Sequence, residues 1–528
     1  MDSSLPSLTS APGGTSGFLV AHPSPGASTC LVIGGVNASG AAVPPLASYR
    51  EVLWLTSSAA PPPPPAAAPS ARLHLLPLML PPRELVTALE HFIRRDLRRL
   101  PAVLVSASFL AEDREENASV MGDIFAVLQK SHGVRQTRQQ DGFRWQQHLL
   151  CNLPAYAQNR VPASWQDALR GLPAFVCGAG PSLDVSAPVL AAHANEAVIF
   201  ASDSSLRGLH RHGVSADFTV SIDVAKQPEK CLPPDGRPAR AVLAAVSPPA
   251  WTHAMKPGSF FFLSSGQVTL DWLARQGVAT TGLIARENCG NTALELACYL
   301  GCAPIYLFGL DLALDANHPT PRHNAGTDAS LYVASGFAAA QKHPHVPGNY
   351  TASVPTWAPA DWRSLDERLA GWPAGLVTNV NDRGARFRNT TLLHPAAFVL
   401  EGVNPGKRGA LARLPAATSP ESRAPSALSR LRQIAREAKA RLKPLRAALR
   451  DQGPAGAAQI FGNFFRGGDQ GAAFGAFSFK LMPHLLPPLE GSPADWSVFI
   501  DEFEELARTA TDMPELSQPI AAAVPTPA

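Results

Sequence analysis

The chain has 528 residues, 45% of them hydrophobic and 16% charged, with 45 Lys+Arg against 42 Asp+Glu for a formal charge of +3. That length holds about three domains and a core that needs no disulfide or metal staple, and the near-balanced charge argues against nucleic acid as the main partner. No apolar run reaches the roughly 18 residues that span a bilayer, so no transmembrane segment is expected. The opening MDSSLPSLTS lacks the basic and apolar regions of a signal peptide, and a cytoplasmic location follows as the expectation. Seven scattered cysteines with no CxxC pair agree with a reducing compartment. Cys298 and Cys302, four apart on a helical pattern without neighbouring histidines, read as small buried residues rather than zinc ligands.

Proline, at 51 of 528 residues, is about twice as frequent as usual, and the excess is clustered. Five prolines at 61–65 followed by AAAPSA predict an extended spacer, and the Ala/Pro/Ser-rich stretch at 415–425 a second linker. STCLVIGG and YREVLWLTS read as strands before the spacer; after it come LHLLPLML, a helix near 85–97, and the strand AVLVSASF. Together they predict a small α/β domain over 1–115. Apolar residues at helical spacing (Val120, Ile124, Phe125, Leu128, then Phe143, Trp145, Leu149) predict a helical bridge over 116–165.

From 166 to 395 short apolar runs alternate with helix-like stretches. FVC, AVIFAS, FTVSI, AVLAAV, FFFLSS and IYLFG are strand candidates, with helices over 181–193, 204–212 and 291–300 between them. This alternation predicts a doubly wound, Rossmann-like α/β sheet whose ligands sit at the carboxyl ends of the strands. A linker over 396–425, a helical C-terminal region over 426–510 and a disordered tail over 511–528 complete the expected organisation.

The residues that follow each strand are the place to search for chemistry. The first ends in Cys177-Gly178-Ala179-Gly180-Pro181-Ser182, a glycine turn feeding a helix whose free amides, dipole and Ser182 hydroxyl suit a phosphate. On that reading a valine at Gly180 would block the phosphate and spare the fold. The motif has no Walker lysine, and Leu183 stands where a dinucleotide fingerprint needs its third glycine, so a purely structural turn fits it as well. Asp203, about 25 residues on, stands where a ribose-binding carboxylate belongs, although Ser202, Asp203 or Ser204 would equally cap the next helix. Asp223 and Asp311 close two further strands and complete a substrate rim able to meet sugar hydroxyls or hydrated Mg²⁺. Asn291 and Thr292 would cap the helix ALELACYLG or offer donors to a base or phosphate. Beyond Asp311 the chain turns histidine-rich: His318 and His323 are the candidate general bases, with His343 and His345 further on.

The ordered runs GAGPSLD, SDSSL, ADFTVSID, GNTALELACYLGCAPIYLFGLDLA, VPGNYTASVPT and TNVNDRGARF resemble the MptE-like domain of the motility accessory factor (Maf) family, which is related to archaeal 6-hydroxymethylpterin diphosphokinases. The resemblance covers 144–387, including the helix RWQQHLLCNLPAYA ahead of the glycine turn. It implies a glycosyltransferase whose donor is a nucleotide-activated sugar, a CMP-linked nonulosonic acid, and whose acceptor is a protein such as flagellin. It also implies a histidine in the loop after the GxDL run, which His318 matches within DANHPTPRH. The alternative is diphosphate transfer from ATP to a pterin, which would give Asp203, Asp223 or Asp311 a Mg²⁺ role. A third reading is a non-catalytic nucleotide-binding scaffold.

Near the C-terminus, Leu428, Leu431, Ile434, Ala438, Leu442, Leu445 and Leu449 form the apolar stripe of a basic helix, expected to kink at Pro444. Trp496, Phe499, Ile500, Phe503 and Leu506 form a second stripe on an acidic helix. Opposite charge makes these two each other's simplest partners.

Overall fold

The computed structural model describes residues 9–10, 18–22, 27–34, 46, 48–56, 72–78, 80–93, 100–111, 115–264, 268–314, 343–400, 406–415, 423–465 and 492–516. The chain divides into two compact units, the second opening at Phe143.

In the first unit, strands β1 (Thr9–Ser10), β2 (Phe18–His22), β3 (Thr29–Ile33), β4 (Glu51–Thr56), β5 (Arg72–Pro77) and β6 (Ala102–Ser106) form one sheet in the order β1-β2-β6-β3-β4-β5. LHLLPLML thus supplies β5, and the three runs expected as strands form β3, β4 and β6. β6, β3, β4 and β5 run parallel, and side chains alternate between two faces as a pleated strand requires. Leu31, Ile33, Leu53, Leu55, Val103 and Val105 face helix α1 (Pro82–Ile93) and the start of α3. Cys30, Val32, Trp54 and Leu104 fill the opposite face. Helix α2 (Ala107–Ala111) follows β6, and α3 (Glu115–Gln158) is the bridge helix, continuing into the second unit.

The second unit is built on eight parallel strands: β7 (Ala174–Cys177), β8 (Val198–Ser202), β9 (Phe218–Ser221), β10 (Arg240–Ala244), β11 (Phe260–Leu263), β12 (Ile305–Phe308), β15 (Val377–Val380) and β16 (Thr391–Leu393). Their order is β11-β10-β9-β8-β7-β12-β15-β16. All seven pairings are parallel, and the first five strands wind one way from β7 while β12, β15 and β16 wind the other. The sheet is doubly wound, with its switch point between β7 and β12. Parallel strands covered on both faces need continuous apolar runs, and VIFAS and FFFL are buried at every position. Phe200 stacks on Phe218 at 5.1 Å, and Phe175, Tyr306 and Phe308 each meet Phe398 edge-on.

The connecting helices are α4 (Ser182–Ala192), α5 (Leu206–Arg211), α6 (Pro228–Cys231), α7 (Ala250–Ala254), α8 (Val268–Arg275) and α9 (Cys289–Tyr299). A hairpin of β13 (His345–Val346) and β14 (Val354–Pro355) and the helix Pro359–Ala370 precede β15. The helix Lys407–Arg413 is tied to the sheet by Lys407, whose Nζ lies 2.7 Å from Asp217 and 2.6 Å from the Ala194 carbonyl.

The segment Ala424–Phe465 and the helix Pro493–Thr511 pack together through the two apolar stripes, with Trp496, Ile500 and Leu506 fully buried. Arg446 bridges Asp501 and Glu504 at 2.7 Å each, so the opposite charges do meet. The expected kink moves: Pro444 lies within the helical run, and the non-helical residue is Gly453 (φ 69°). Glycine adopts that conformation without the Cβ clash other residues suffer. No helix among the described residues is long and apolar enough to cross a membrane.

Candidate functional site

Parallel strands present all their carboxyl ends along one edge. Asp203 follows β8, Asp223 follows β9, Asp311 follows β12, and the glycine turn follows β7. Asn291 joins them from the first turn of α9, because Cys289 at the start of that helix reaches Asp203 Oδ2 at 3.4 Å. Asp203 and Asp311 flank β7 two strand spacings apart, about 10 Å. The expected rim residues therefore share one edge of the sheet.

The glycine turn differs from the open cradle its sequence suggests. The Gly178 N–H donates to the Phe308 carbonyl, that of Gly180 to Gly309, and that of Leu183 to Gly180. The Ser182 N–H donates to Asp311 Oδ2 at 2.9 Å and its hydroxyl to Asp311 Oδ1. Ala179, Pro181 and Ser182 are buried. A Cβ on Gly180 would lie 2.5 Å from Asp311 Cγ and 2.7 Å from the Gly309 carbonyl oxygen, and one on Gly178 would strike that same oxygen. The glycines are there so that two neighbouring strand ends can cross in contact: of the donors expected to meet a phosphate, the Gly178 and Gly180 amides bond backbone carbonyls and Ser182 holds the Asp311 carboxylate. A valine at Gly180 would thus disrupt the fold rather than spare it.

Asp311 is the centre of this joint. Besides Ser182 it accepts from Asn381 Nδ2 at 2.9 Å, and it is 2% exposed. Burial raises its pKa above the ordinary carboxylate value, while the bonds from Ser182 and Asn381 pull the other way. Asp203 is likewise buried: Oδ1 takes the N–H and hydroxyl of Ser204, and Oδ2 takes the Ser221 hydroxyl at 2.8 Å. Asp223 is exposed and accepts the Ala225 N–H. Asp203 and Asp311 have their oxygens engaged by neutral donors, and no group of three or more His, Cys, Asp or Glu among the described residues is placed to hold a metal. Asp203 and Asp311 are thus held within the chain, and Asp223 is the exposed carboxylate of the three.

The cap of α9 is Asn288 rather than Asn291 or Thr292. Its side chain accepts the Asn291 N–H at 2.8 Å, and the Thr292 hydroxyl folds back on the Asn288 carbonyl. Asn291 is left fully buried, with Oδ1 lacking any hydrogen-bond partner. A buried unpaired amide oxygen costs about 1–3 kcal/mol and marks a place where a ligand donor would be welcome.

His318 and His323 lie outside the described residues. His345 is exposed on β13 and His343 half-buried beside it.

Three groups at this edge escaped the sequence reading. Asn381 holds Asp311, and the Tyr350 hydroxyl donates to the Asn381 carbonyl at 2.9 Å. Asn379 is buried with its own Oδ1 unpaired. On α3, His148 Nδ1 lies 3.2 Å from the Val246 carbonyl, just past β10, and Asn152 donates to the carbonyls on either side. A carbonyl only accepts, so the His148 proton sits on Nδ1 and leaves Nε2 as the basic nitrogen. Burial lowers the His148 pKa, opposed by the Val246 bond and aided by Arg144, which keeps it neutral near pH 7.

Comparison with known proteins agrees with this architecture. Residues 147–317 match the family described as 6-hydroxymethylpterin diphosphokinase MptE-like. Among solved structures, the Maf glycosyltransferase of Magnetospirillum magneticum AMB-1 superposes with a TM-score of 0.51 at 16% identity, covering 83% of this chain and 69% of that one. No curated protein matches the chain by sequence.

Proposed function

We propose that the chain is a glycosyltransferase that moves a sugar from a nucleotide donor, a CMP-linked nonulosonic acid on the family resemblance, to a hydroxyl of a protein acceptor such as flagellin. The observation that carries this reading is the polar edge at the switch point, where Asp203 and Asp311 flank β7 and the buried Asn291 oxygen lacks a partner. A doubly wound sheet binds its ligand in that crevice. The likeness in fold to the Maf glycosyltransferase supports the choice of chemistry.

In the reaction the acceptor oxygen forms a bond to the anomeric carbon as the bond from that carbon to the phosphate oxygen breaks. The nucleotide leaves as its monophosphate, and the acceptor proton passes to a base. His318, with His323 as second choice, is the base on sequence grounds. His148, half-buried with Nδ1 on the Val246 carbonyl just past β10, takes that role if substitutions of both leave transfer intact.

The MptE-like match favours a second reading, Mg²⁺-dependent diphosphate transfer from ATP to a pterin. Calorimetric titration with CMP, a CMP-sugar and ATP, each with and without Mg²⁺, separates the two. Binding of CMP and CMP-sugar without metal is expected; binding of ATP alone, and only with Mg²⁺, would replace this proposal by the second.

A further inference from the structure

Beside the carboxyl edge, the helix Pro359–Ala370 and the segment 386–390 enclose a cleft of about 640 Å³. On the helix, Trp362 and Asp366, and Arg363 and Glu367, are pairs four residues apart and share a face. Opposite them stand Arg386 and Arg388. The wall is fixed in place: the Trp362 indole N–H donates to the Arg386 carbonyl at 3.0 Å, and the Arg386 N–H donates to Pro347. Asp366, 5% exposed, accepts the Arg388 N–H at 2.7 Å and pairs with its guanidinium at 2.6 Å.

That pairing neutralises Arg388 and leaves the Arg363 and Arg386 guanidiniums exposed, with no carboxylate or hydrogen-bond partner among the described residues. Glu367 on the same face is likewise unpaired. Two free guanidiniums, an indole and one carboxylate around a cleft of this size suit a ligand that joins an oxyanion to a flat ring bearing donors. Guanidiniums grip phosphate oxygens in pairs, an indole stacks on a base, and a carboxylate accepts from a base's amino group. A bare phosphate would leave most of the volume and the indole unused.

The wall of the cleft is joined through the chain to Asp311. Ala385, the residue before Arg386, donates its N–H to the Asp311 carbonyl, and Gly384 lies against Asp311 itself. We infer that this cleft holds the nucleoside phosphate of the donor, so that the nucleotide is gripped by Arg363, Arg386 and Trp362 on the β15 side rather than by the glycine turn, whose donors are spent internally. The inference rests on the reading of the chain as a sugar-nucleotide transferase.

The test is calorimetric titration of the full chain with CMP, cytidine, AMP and inorganic phosphate, on the wild type, the Arg363→Ala/Arg386→Ala double variant, Trp362→Ala and Trp362→Phe. Both arginine side chains are exposed, so the double variant folds as the wild type does, which its melting curve checks. CMP affinity should fall at least about tenfold in the double variant and several-fold in Trp362→Ala, with Trp362→Phe retaining most of it. Inorganic phosphate and cytidine should each bind far more weakly than CMP. Wild-type CMP affinity in the double variant, phosphate binding equal to that of CMP, or no nucleotide binding at all would overturn the assignment. If the wild type turns over a sugar nucleotide and the double variant does so with unchanged KM, the cleft assignment fails while the transferase reading stands. If the double variant loses nucleotide binding but the wild type turns over no sugar nucleotide, the cleft stands and the transferase reading fails.

Discussion

Replacing Asp311 tests the joint at the switch point most sharply. The carboxylate accepts three bonds in a buried setting, from the Ser182 N–H, the Ser182 hydroxyl and Asn381 Nδ2. Asp311→Ala strands all three donors; a buried donor left unpaired costs about 1–3 kcal/mol, so the variant should lose on the order of 3–5 kcal/mol. Asp311→Asn keeps an oxygen for the Ser182 N–H and offers its amide to the Ser182 hydroxyl, leaving Asn381 as the one loser, a cost of about 1–2 kcal/mol. The pH dependence carries a second signature. Because burial raises the folded-state pKa above that of an unfolded aspartate, the Asp311 contribution is fully present below about pH 4 and is lost as pH rises through the folded value. Asp311→Asn removes that term, so its stability relative to wild type should improve as pH rises above about 4. Urea denaturation followed by tryptophan fluorescence measures both. A loss below about 0.5 kcal/mol for Asp311→Ala, or a pH-independent difference for Asp311→Asn, would refute the joint.

Three further outcomes follow from the same geometry. Gly180→Val should give little folded protein, because its Cβ would lie 2.5 Å from Asp311 Cγ; soluble yield and melting temperature read this, and a wild-type melting temperature would contradict it. Lys407→Met should destabilise by about 3 kcal/mol, since it leaves Asp217 as a largely buried charge without its 2.7 Å partner; the urea midpoint checks it. Arg446→Ala should cost less than about 1 kcal/mol, since Arg446 and both its carboxylate partners are well exposed, and a larger shift in the same assay would show a coupled network.

Much of the second unit was legible because parallel strands buried on both faces leave continuous apolar runs, as VIFAS and FFFL do. β15 escaped because Asn379 interrupts its run, VTNV, and β16 because TLL is only three residues long. With β15 unseen, the rule of searching just past each strand never reached Asn381, although TNVNDRGARF was among the runs that carried the family resemblance. The glycine turn was found but its use was not. Whether its amides face solvent depends on Gly309 and Asp311, about 130 residues away, and no local pattern reports a contact at that separation. The cap of α9 falls three or four residues before the expected Asn291 or Thr292 because all three residue types are good caps, and the backbone angles at Asn288 (φ −144°, ψ 171°) are what separate them.

Sugar transfer from a nucleotide at this edge of the sheet is read by following nucleotide release during turnover. The full chain is incubated with a CMP-linked nonulosonic acid and a flagellin acceptor and, separately, with ATP, Mg²⁺ and a hydroxymethylpterin, while CMP and AMP are quantified. CMP release that depends on the acceptor is expected, with a glycan mass added to the protein and a drop of about 10² to 10⁴ in rate for His318→Gln. AMP release from ATP that requires both pterin and Mg²⁺, with no CMP formed, would contradict it.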